Sequence, residues 1–467
     1  MSRTGLIVTT IVIILIIAGV AAYYAYKGGG KTTTTAAPTT SPTAMPTGTQ
    51  TTTASPTTSP LTTTTSPATT TTVTSPITTT TVVSGTAQGL PKEIPIGLAI
   101  AVSGGYAVDG PRRLKGALLA IEEMNQLLEK AGAPFRFKPI HEDTKANPQE
   151  AVNVIKRFIS QGIQVIVGPL STSETAAVMP IVNKAHVVVI SPSSTGKAAA
   201  FPNDYVFRMP PPDTAQGPAL AKLIHQLGYT KLVIIARNDD YGRGLATLVK
   251  DTFQKLGGKV SMILYHPEKP DLSQEVNSLA TEVSKFGADK HTAVLIIAFD
   301  NDGRQILEKA SQIDVLGKVQ WFGPDSMARK TFLEEPKIAE FLAKVHILIT
   351  SPAIPKNPVT KHFEEAYQKK YGEKPTPYAY YAYDAAWIAM LSVLVAGKYD
   401  GQAIKTVLPT VAFHFMGATG HKMLDKNGDA AIADYAISTV VKTPSGYAFK
   451  QIGVLKGSTG KVEWIKS

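Results

Sequence analysis

From residue 94 onward, short continuous apolar runs alternate with longer stretches whose apolar residues recur at helical spacing. The runs at 94–102, 135–140, 165–167, 187–190, 232–236, 260–265, 294–299 and 319–322 predict strands buried on both faces. Helical spacing at 111–130, 148–161, 173–185, 241–256, 273–286 and 302–313 predicts amphipathic helices between them. Strands and helices alternating in this way build parallel sheets covered on both sides, an α/β fold. The body is long for one doubly wound unit, and two lobes of about 180 residues are more usual. Pro-rich breaks at 210–212 and 352–358 are candidate crossings between such lobes.

The chain before this body has a different pattern. Residues 6–26 form an uncharged, mostly apolar run of 21 positions. As a helix it would reach about 30 Å, enough to span a bilayer core. Tyr23, Tyr24 and Tyr26 at its outer end suit the membrane interface. An uncleaved anchor within residues 1–30 is the expectation; a cleaved signal peptide is the alternative. Only five residues precede the run, which leaves no room for a cytoplasmic domain. Residues 31–89 then hold 28 Thr, 6 Ser and 7 Pro, with Thr-Ser-Pro repeated at 40–42, 58–60, 65–67 and 74–76. Such a segment has too few large apolar side chains to fold. Its hydroxyl density fits an O-glycosylated stalk, against the plainer reading of a bare linker. No Asn-x-Ser/Thr sequon occurs. A membrane stem, a stalk and a globular head at 90–467 place the head on the extracellular face, or in the medium if the stem is cleaved.

Composition narrows the chemistry. There is no cysteine, which excludes disulfides, thiolate catalysis and Cys-ligated metals, and also a lipidated Cys as tether. The net charge is +11, but the basic residues are dispersed and form no Lys/Arg block, which argues against nucleic-acid binding. No His-Glu-x-x-His or Gly-x-Ser-x-Gly marks a metal or nucleophile site. Residues 425–429 are a fragment of a calcium loop and read better as a β-turn. No cofactor, metal or catalytic residue is expected.

Ligands of open α/β sheets sit beyond the C-terminal ends of the strands. The loops concerned are 102–110, 168–173, 190–196, 236–242, 298–303 and 322–326. Two of them are rich in hydroxyls: Gly168-Pro169-Leu170-Ser171-Thr172-Ser173 and Ser191-Pro192-Ser193-Ser194-Thr195-Gly196. Each follows a predicted strand, and the first opens a helix, so together they can cradle a carboxylate. Taken singly, each is equally an ordinary helix cap or turn. Asp325, after the 319–322 strand, can supply a negative charge for an ammonium; its plainer reading is a turn carboxylate in water.

The ordered set of motifs resembles the branched-chain amino acid-binding proteins of ABC importers, in a membrane-anchored, archaeal-style form. The resemblance runs through Ser103-Gly104, Asn147-Pro148, Val167-Gly168-Pro169, Ile190-Ser191-Pro192, Phe207-Arg208 and Gln216-Gly217-Pro218. It continues through Asp240-Tyr241-Gly242-Arg243-Gly244, Phe322-Gly323-Pro324-Asp325, Tyr383-Asp384-Ala385 and Gly417-Ala418-Thr419-Gly420. It implies the type I periplasmic-binding-protein fold: two lobes, each a mostly parallel sheet flanked by helices, joined by three hinge crossings. Lobe 1 would comprise about 93–211 and 353–416, and lobe 2 about 212–352 and 417–467. It also implies that Thr172 holds a ligand carboxylate and that the Ser-Pro-x-x-Thr loop supplies a carbonyl and a hydroxyl at Ser193 and Thr195, with Ser171 and Ser194 beside them. Asp325 would meet the ammonium, and Tyr241 and Phe299 would cover the ligand. In the first loop Asp109 falls where leucine-type members often carry an aromatic residue, with Tyr106 three residues earlier. Either Asp109 faces solvent or the ligand carries a polar or cationic group there, because a carboxylate buried against an aliphatic chain is costly.

The expected function is an extracytoplasmic solute receptor that captures an amino acid, branched-chain or a related zwitterion, by hinge closure. Its partners would be ABC permease and ATPase subunits, with a monomeric head and no nucleic acid. The alternatives are a sensor ectodomain on the same fold for amides or other small solutes, an extracellular enzyme, and a surface-layer component.

Overall fold

The computed structural model describes residues 89–431 and 433–465. The apolar run at 6–26 and the Thr/Ser/Pro stretch up to residue 88 lie outside them. The first sheet and its helices come from β1 (Glu93–Ala99), α1 (Gly110–Lys130), β2 (Arg136–Glu142), α2 (Pro148–Ser160), β3 (Val165–Val167), α3 (Thr172–Ala185), β4 (Val188–Ser191) and β5 (Val206–Arg208). The chain then forms α4 (Asp213–Gln226), β6 (Lys231–Arg237), α5 (Asp240–Lys255), β7 (Lys259–Tyr265), α6 (Ser273–Phe286), β8 (Thr292–Ile297) and α7 (Asp300–Ala310). It continues with β9 (Gln320–Gly323), α8 (Lys330–Glu334), α9 (Pro336–Lys344), β10 (Leu348–Pro352), α10 (Pro358–Tyr371), α11 (Pro377–Ala396) and α12 (Gly401–His414). It ends with β11 (Tyr435–Thr443), β12 (Gly446–Leu455) and β13 (Val462–Trp464).

Two sheets result. The first has the order β2-β1-β3-β4-β5, with every pairing parallel. The second has the order β13-β12-β11-β10-β9-β8-β6-β7, parallel from β7 to β10 and antiparallel from β11 to β13. The C-terminal antiparallel strands carry no long apolar run. Most of β12 is only partly buried, so it pairs by backbone and packs on one face only. The chain leaves the first sheet after β5, returns after β10 and leaves again after α12, giving three crossings.

Local sequence explains most element ends. Asn147 accepts hydrogen bonds from the amides of Gln149 and Glu150, and Pro148 takes the first helical position of α2. Ser171 and Glu174 cap the start of α3 reciprocally. β1 stops at Ala99, short of the predicted 102, because its partner β2 ends at Glu142 and the Val102 amide turns to Asp143 Oδ1, 2.9 Å away. α7 begins at Asp300 rather than 302, since the Asp302 carboxylate receives the Phe299 amide at its start.

Among the described residues one helix, Pro377–Ala396, is long and apolar enough to cross a membrane, but 89% of it is buried inside the fold. It packs against α1, and at the contact a Cβ on Gly116 would lie 2.4 Å from the Ala379 carbonyl oxygen. Only glycine permits that approach. Residues 425–429 form the expected turn, closed by the Gly428 amide on the Asp425 carbonyl at 3.0 Å.

Candidate ligand-binding site

Each sheet has a point where strand order reverses: between β1 and β3 in the first, between β6 and β8 in the second. Loops leaving such neighbouring strands diverge to opposite faces and open a crevice at the strands' C-terminal ends. Both crevices feed one cavity. The first sheet contributes Tyr106 after β1, Leu170 and Thr172 after β3, and Ser193 and Thr195 after β4. The second contributes Tyr241 after β6, Phe299 after β8, and Asp325, Ser326 and Arg329 after β9. Arg113 from the first turns of α1 and Tyr378 from the start of α11 complete the lining. The room left between these side chains is small, about 20 Å³, little more than one water occupies.

Hydroxyls dominate one side. Thr172 opens α3, whose first amides have no intrahelical acceptor and point a partial positive charge at the cavity. Its Oγ1 accepts the Gly196 amide at 3.0 Å, which ties the two Ser/Thr loops together. Opposite, Asp325 is half-buried and accepts hydrogen bonds from Gln216 Nε2 at 2.8 Å and from the Tyr378 hydroxyl at 2.5 Å. Both donors are neutral, and among the described residues no ion pair reaches Asp325. The buried Tyr241 and Ser326 hydroxyls line the same cavity, and beyond each other neither meets a hydrogen-bond partner. Unpaired buried hydroxyls are costly and mark places where a ligand or water can bind.

A buried ionic cluster forms another part of the wall. Asp109 Oδ2 accepts from Arg113 Nη2 and from Arg329 Nη1, both at 2.6 Å. Arg113 Nη1 also donates to Ser193 Oγ. Arg329 donates through Nε to the Ser326 carbonyl at 2.9 Å and lies 3.8 Å from Asp300 Oδ2. Burial alone would push the Asp109 carboxyl up, but Arg113 and Arg329 outweigh it and hold it well below the usual carboxylate range. The cluster joins the α1 end of the first sheet to the β9 loop of the second.

A family model described as the receptor family ligand binding region matches residues 112–443. The chain belongs to this family. An uncharacterized protein of Methanocaldococcus jannaschii is 31% identical over 404 residues, covering 81% of this chain and 94% of that one. The leucine-, isoleucine-, valine-, threonine- and alanine-binding protein of Pseudomonas aeruginosa is 25% identical over 348 residues, covering 74% and 89%. A leucine-binding protein structure from Thermotoga maritima superposes with TM-score 0.65 at 23% identity, over 77% of this chain and 98% of that one. A branched-chain amino acid transporter substrate-binding protein from Streptococcus pneumoniae, solved with isoleucine, gives 0.63 at 24%, over 80% and 98%. This ligand-binding region therefore has the type I periplasmic-binding-protein fold: mostly parallel sheets flanked by helices.

Of the residues singled out by sequence, the cavity brings together Tyr106, Thr172, Ser193, Thr195, Tyr241, Phe299 and Asp325. Three are not in its lining. Ser171 is spent on capping α3: its Oγ accepts the Glu174 amide and donates to the Glu174 carboxylate. The Ser194 hydroxyl turns away from the cavity toward Arg208, with Nη1 at 3.5 Å. Asp109 lies behind the wall, buried and paired with two arginines. The expectation that it faces solvent is overturned: Asp109 is buried because Arg113 and Arg329 supply the counter-charges. Arg113, Arg329, Tyr378, Leu170 and Ser326 were missed. The spacing Asp109-x-x-x-Arg113 at a helix start was a signal for one pair; Arg329 gave no local signal.

Behind Asp325 lies Asp213, fully buried, with no hydrogen-bond partner on either carboxyl oxygen. Burial, reinforced by Asp325, pushes its carboxyl up to about 7, with nearby Thr195 and Arg208 easing the charge only in part. Between the ordinary carboxylate range near pH 4 and pH 7, the unfolded chain gives up this proton while the fold retains it, so stability falls as pH rises. Asp213→Asn is expected to be about 4 kcal/mol more stable than the wild type at pH 8, with the gap closing towards pH 4. Denaturant titrations at the two pH values measure it; a constant gap would show that Asp213 does not titrate in this range.

Proposed function

We propose that the protein is the extracytoplasmic solute-binding receptor of an ABC importer, and that it captures an amino acid, branched-chain or a related zwitterion, in its inter-sheet cavity. The observation that carries this reading is one site in which the hydroxyls of Thr172, Ser193 and Thr195 from one sheet confront the Asp325 carboxylate from the other. A carboxylate bound to the first and an ammonium bound to the second satisfy both groups at once. A simple acid or amine would leave one of them buried and unpaired. The printed names of the Pseudomonas and Streptococcus relatives, an amino acid-binding protein and a transporter substrate-binding protein, point the same way.

Because the ligand would touch both bodies, it favours the closed arrangement by its differential affinity. The lobes would be 93–211 with 353–416 and 212–352 with 417–467, closing about the three crossings. Closed receptor would dock on permease and ATPase partners as a monomeric head. Residues 1–30 would anchor it on the extracellular face and 31–89 would form its stalk.

Calorimetric titration of the full chain with the common amino acids tests the reading. A ligand at a hundred times its Kd should also raise unfolding free energy by about 2.7 kcal/mol. Binding of amides or sugars with no response to any amino acid would overturn the ligand assignment. A sharper check uses Gly196, where an added Cβ would lie 2.6 Å from Thr172 Cγ2 and 2.8 Å from its Oγ1. Gly196→Ala is expected to displace that hydroxyl and weaken amino-acid binding about tenfold, roughly 1.4 kcal/mol. Unchanged affinity would remove Thr172 from the carboxylate cradle.

A further inference from the structure

Granting the amino-acid reading, the cavity's remaining wall decides which side chain fits. Leu170 is the one aliphatic residue in the lining. The aromatic rings compensate only in part, because at least one face of each is already occupied. The Arg113 guanidinium lies 4.8 Å from the Tyr106 centroid and 4.5 Å from that of Tyr378. Phe299 has the Arg237 guanidinium over it at 3.8 Å and is stacked with Tyr241 at 5.4 Å between centroids. A branched aliphatic chain would meet guanidinium groups where it needs apolar surface, and would have to displace the Asp109 pairs to gain any.

An acidic side chain fares no better. Arg113 and Arg329 are the cations facing the cavity, and Asp109 and Asp300 lie against them. Two positive charges against two negative ones leave no net attraction for a further carboxylate, while Asp325 would repel it.

We propose that Asp109, Arg113 and Arg329 form a polar stop that sets ligand specificity, favouring amino acids with small or hydroxylated side chains over branched aliphatic and acidic ones. Asp109 and Arg329 come from different sheets, so the same ion pair forms only when the two bodies are together. Asp109 acts here as a positioning residue, holding the two guanidiniums against the cavity.

The test is a calorimetric panel on the full chain with glycine, alanine, serine, threonine, valine, leucine, isoleucine and glutamate. The expected result is at least tenfold tighter binding of alanine, serine or threonine than of leucine or isoleucine. Arg329→Met should narrow that ratio to threefold or less by replacing a guanidinium with an apolar chain. Should that variant not fold, the wild-type ranking is sufficient by itself. Leucine or glutamate as the tightest ligand would overturn the polar stop while leaving the receptor reading intact. Absence of binding across all eight amino acids would overturn both.

Discussion

Replacing Asp325 by alanine is expected to weaken amino-acid binding at least a hundredfold, about 2.7 kcal/mol. The side chain is held in place by Gln216 and Tyr378, neither of which can neutralise it. The ligand ammonium would be its counter-charge. Removing one partner of a desolvated charge pair costs about 2–5 kcal/mol, much of it from the group left behind. Asp325→Asn keeps the hydrogen-bonding shape and loses the charge, so it should fall between the wild type and alanine. Ligand-free stability should also fall, by about 1–3 kcal/mol, because the buried Gln216 and Tyr378 each lose a charge-assisted hydrogen bond. Titration calorimetry on the best-binding amino acid decides the matter. An affinity within threefold of the wild type for Asp325→Ala would show that the ammonium sits elsewhere.

The largest expected loss of stability comes from Arg208→Ala, about 3–5 kcal/mol. Arg208 closes β5 with only 1% of its surface exposed. Its Nε and Nη2 meet the Asp429 carboxylate at 2.6 and 2.5 Å, and Nη1 donates to the Gly196 carbonyl at 2.6 Å. The Arg208 amide also donates to the Gly428 carbonyl at 2.9 Å, so this pair pins the third crossing to the edge of the first sheet. Alanine would leave Asp429 charged and buried with no partner. It would also release Gly196, which seats Thr172, so ligand affinity should fall alongside stability. The double variant Arg208→Met with Asp429→Leu removes both charges and should recover part of the loss, since a buried ion pair is weak evidence of net stabilisation. Urea unfolding of the three variants measures these differences. A loss below about 1 kcal/mol for Arg208→Ala would mean that water reaches Asp429 freely.

The parallel strands were legible because each is buried on both faces and therefore continuously apolar. The 165–167 prediction coincides with β3, and 273–286 with α6. β11, β12 and β13 escaped notice for the converse reason: they add an antiparallel edge whose outer positions are polar. The hydroxyl-rich loops were legible as a candidate cradle, since their positions after strands follow from the alternation alone. Ser171 and Ser194 mark the limit of such a reading. Periodicity locates the loops but does not say which hydroxyl turns inward, because capping by Glu174 and the approach of Arg208 decide the orientation.

By itself, then, the sequence determined the α/β class, the order of elements, the loops at the strand ends, and the hydroxyls and acid available to a zwitterion. These depend on local periodicity and on residue type. Only the tertiary structure decided that Asp109 is buried rather than solvated, and that two arginines line the site. Arg329 lies 220 positions from Asp109 along the chain, and their 2.6 Å contact exists because two separate sheets bring their strand-end loops together. No local pattern encodes that meeting, and the charge it buries is tolerated only because both partners arrive.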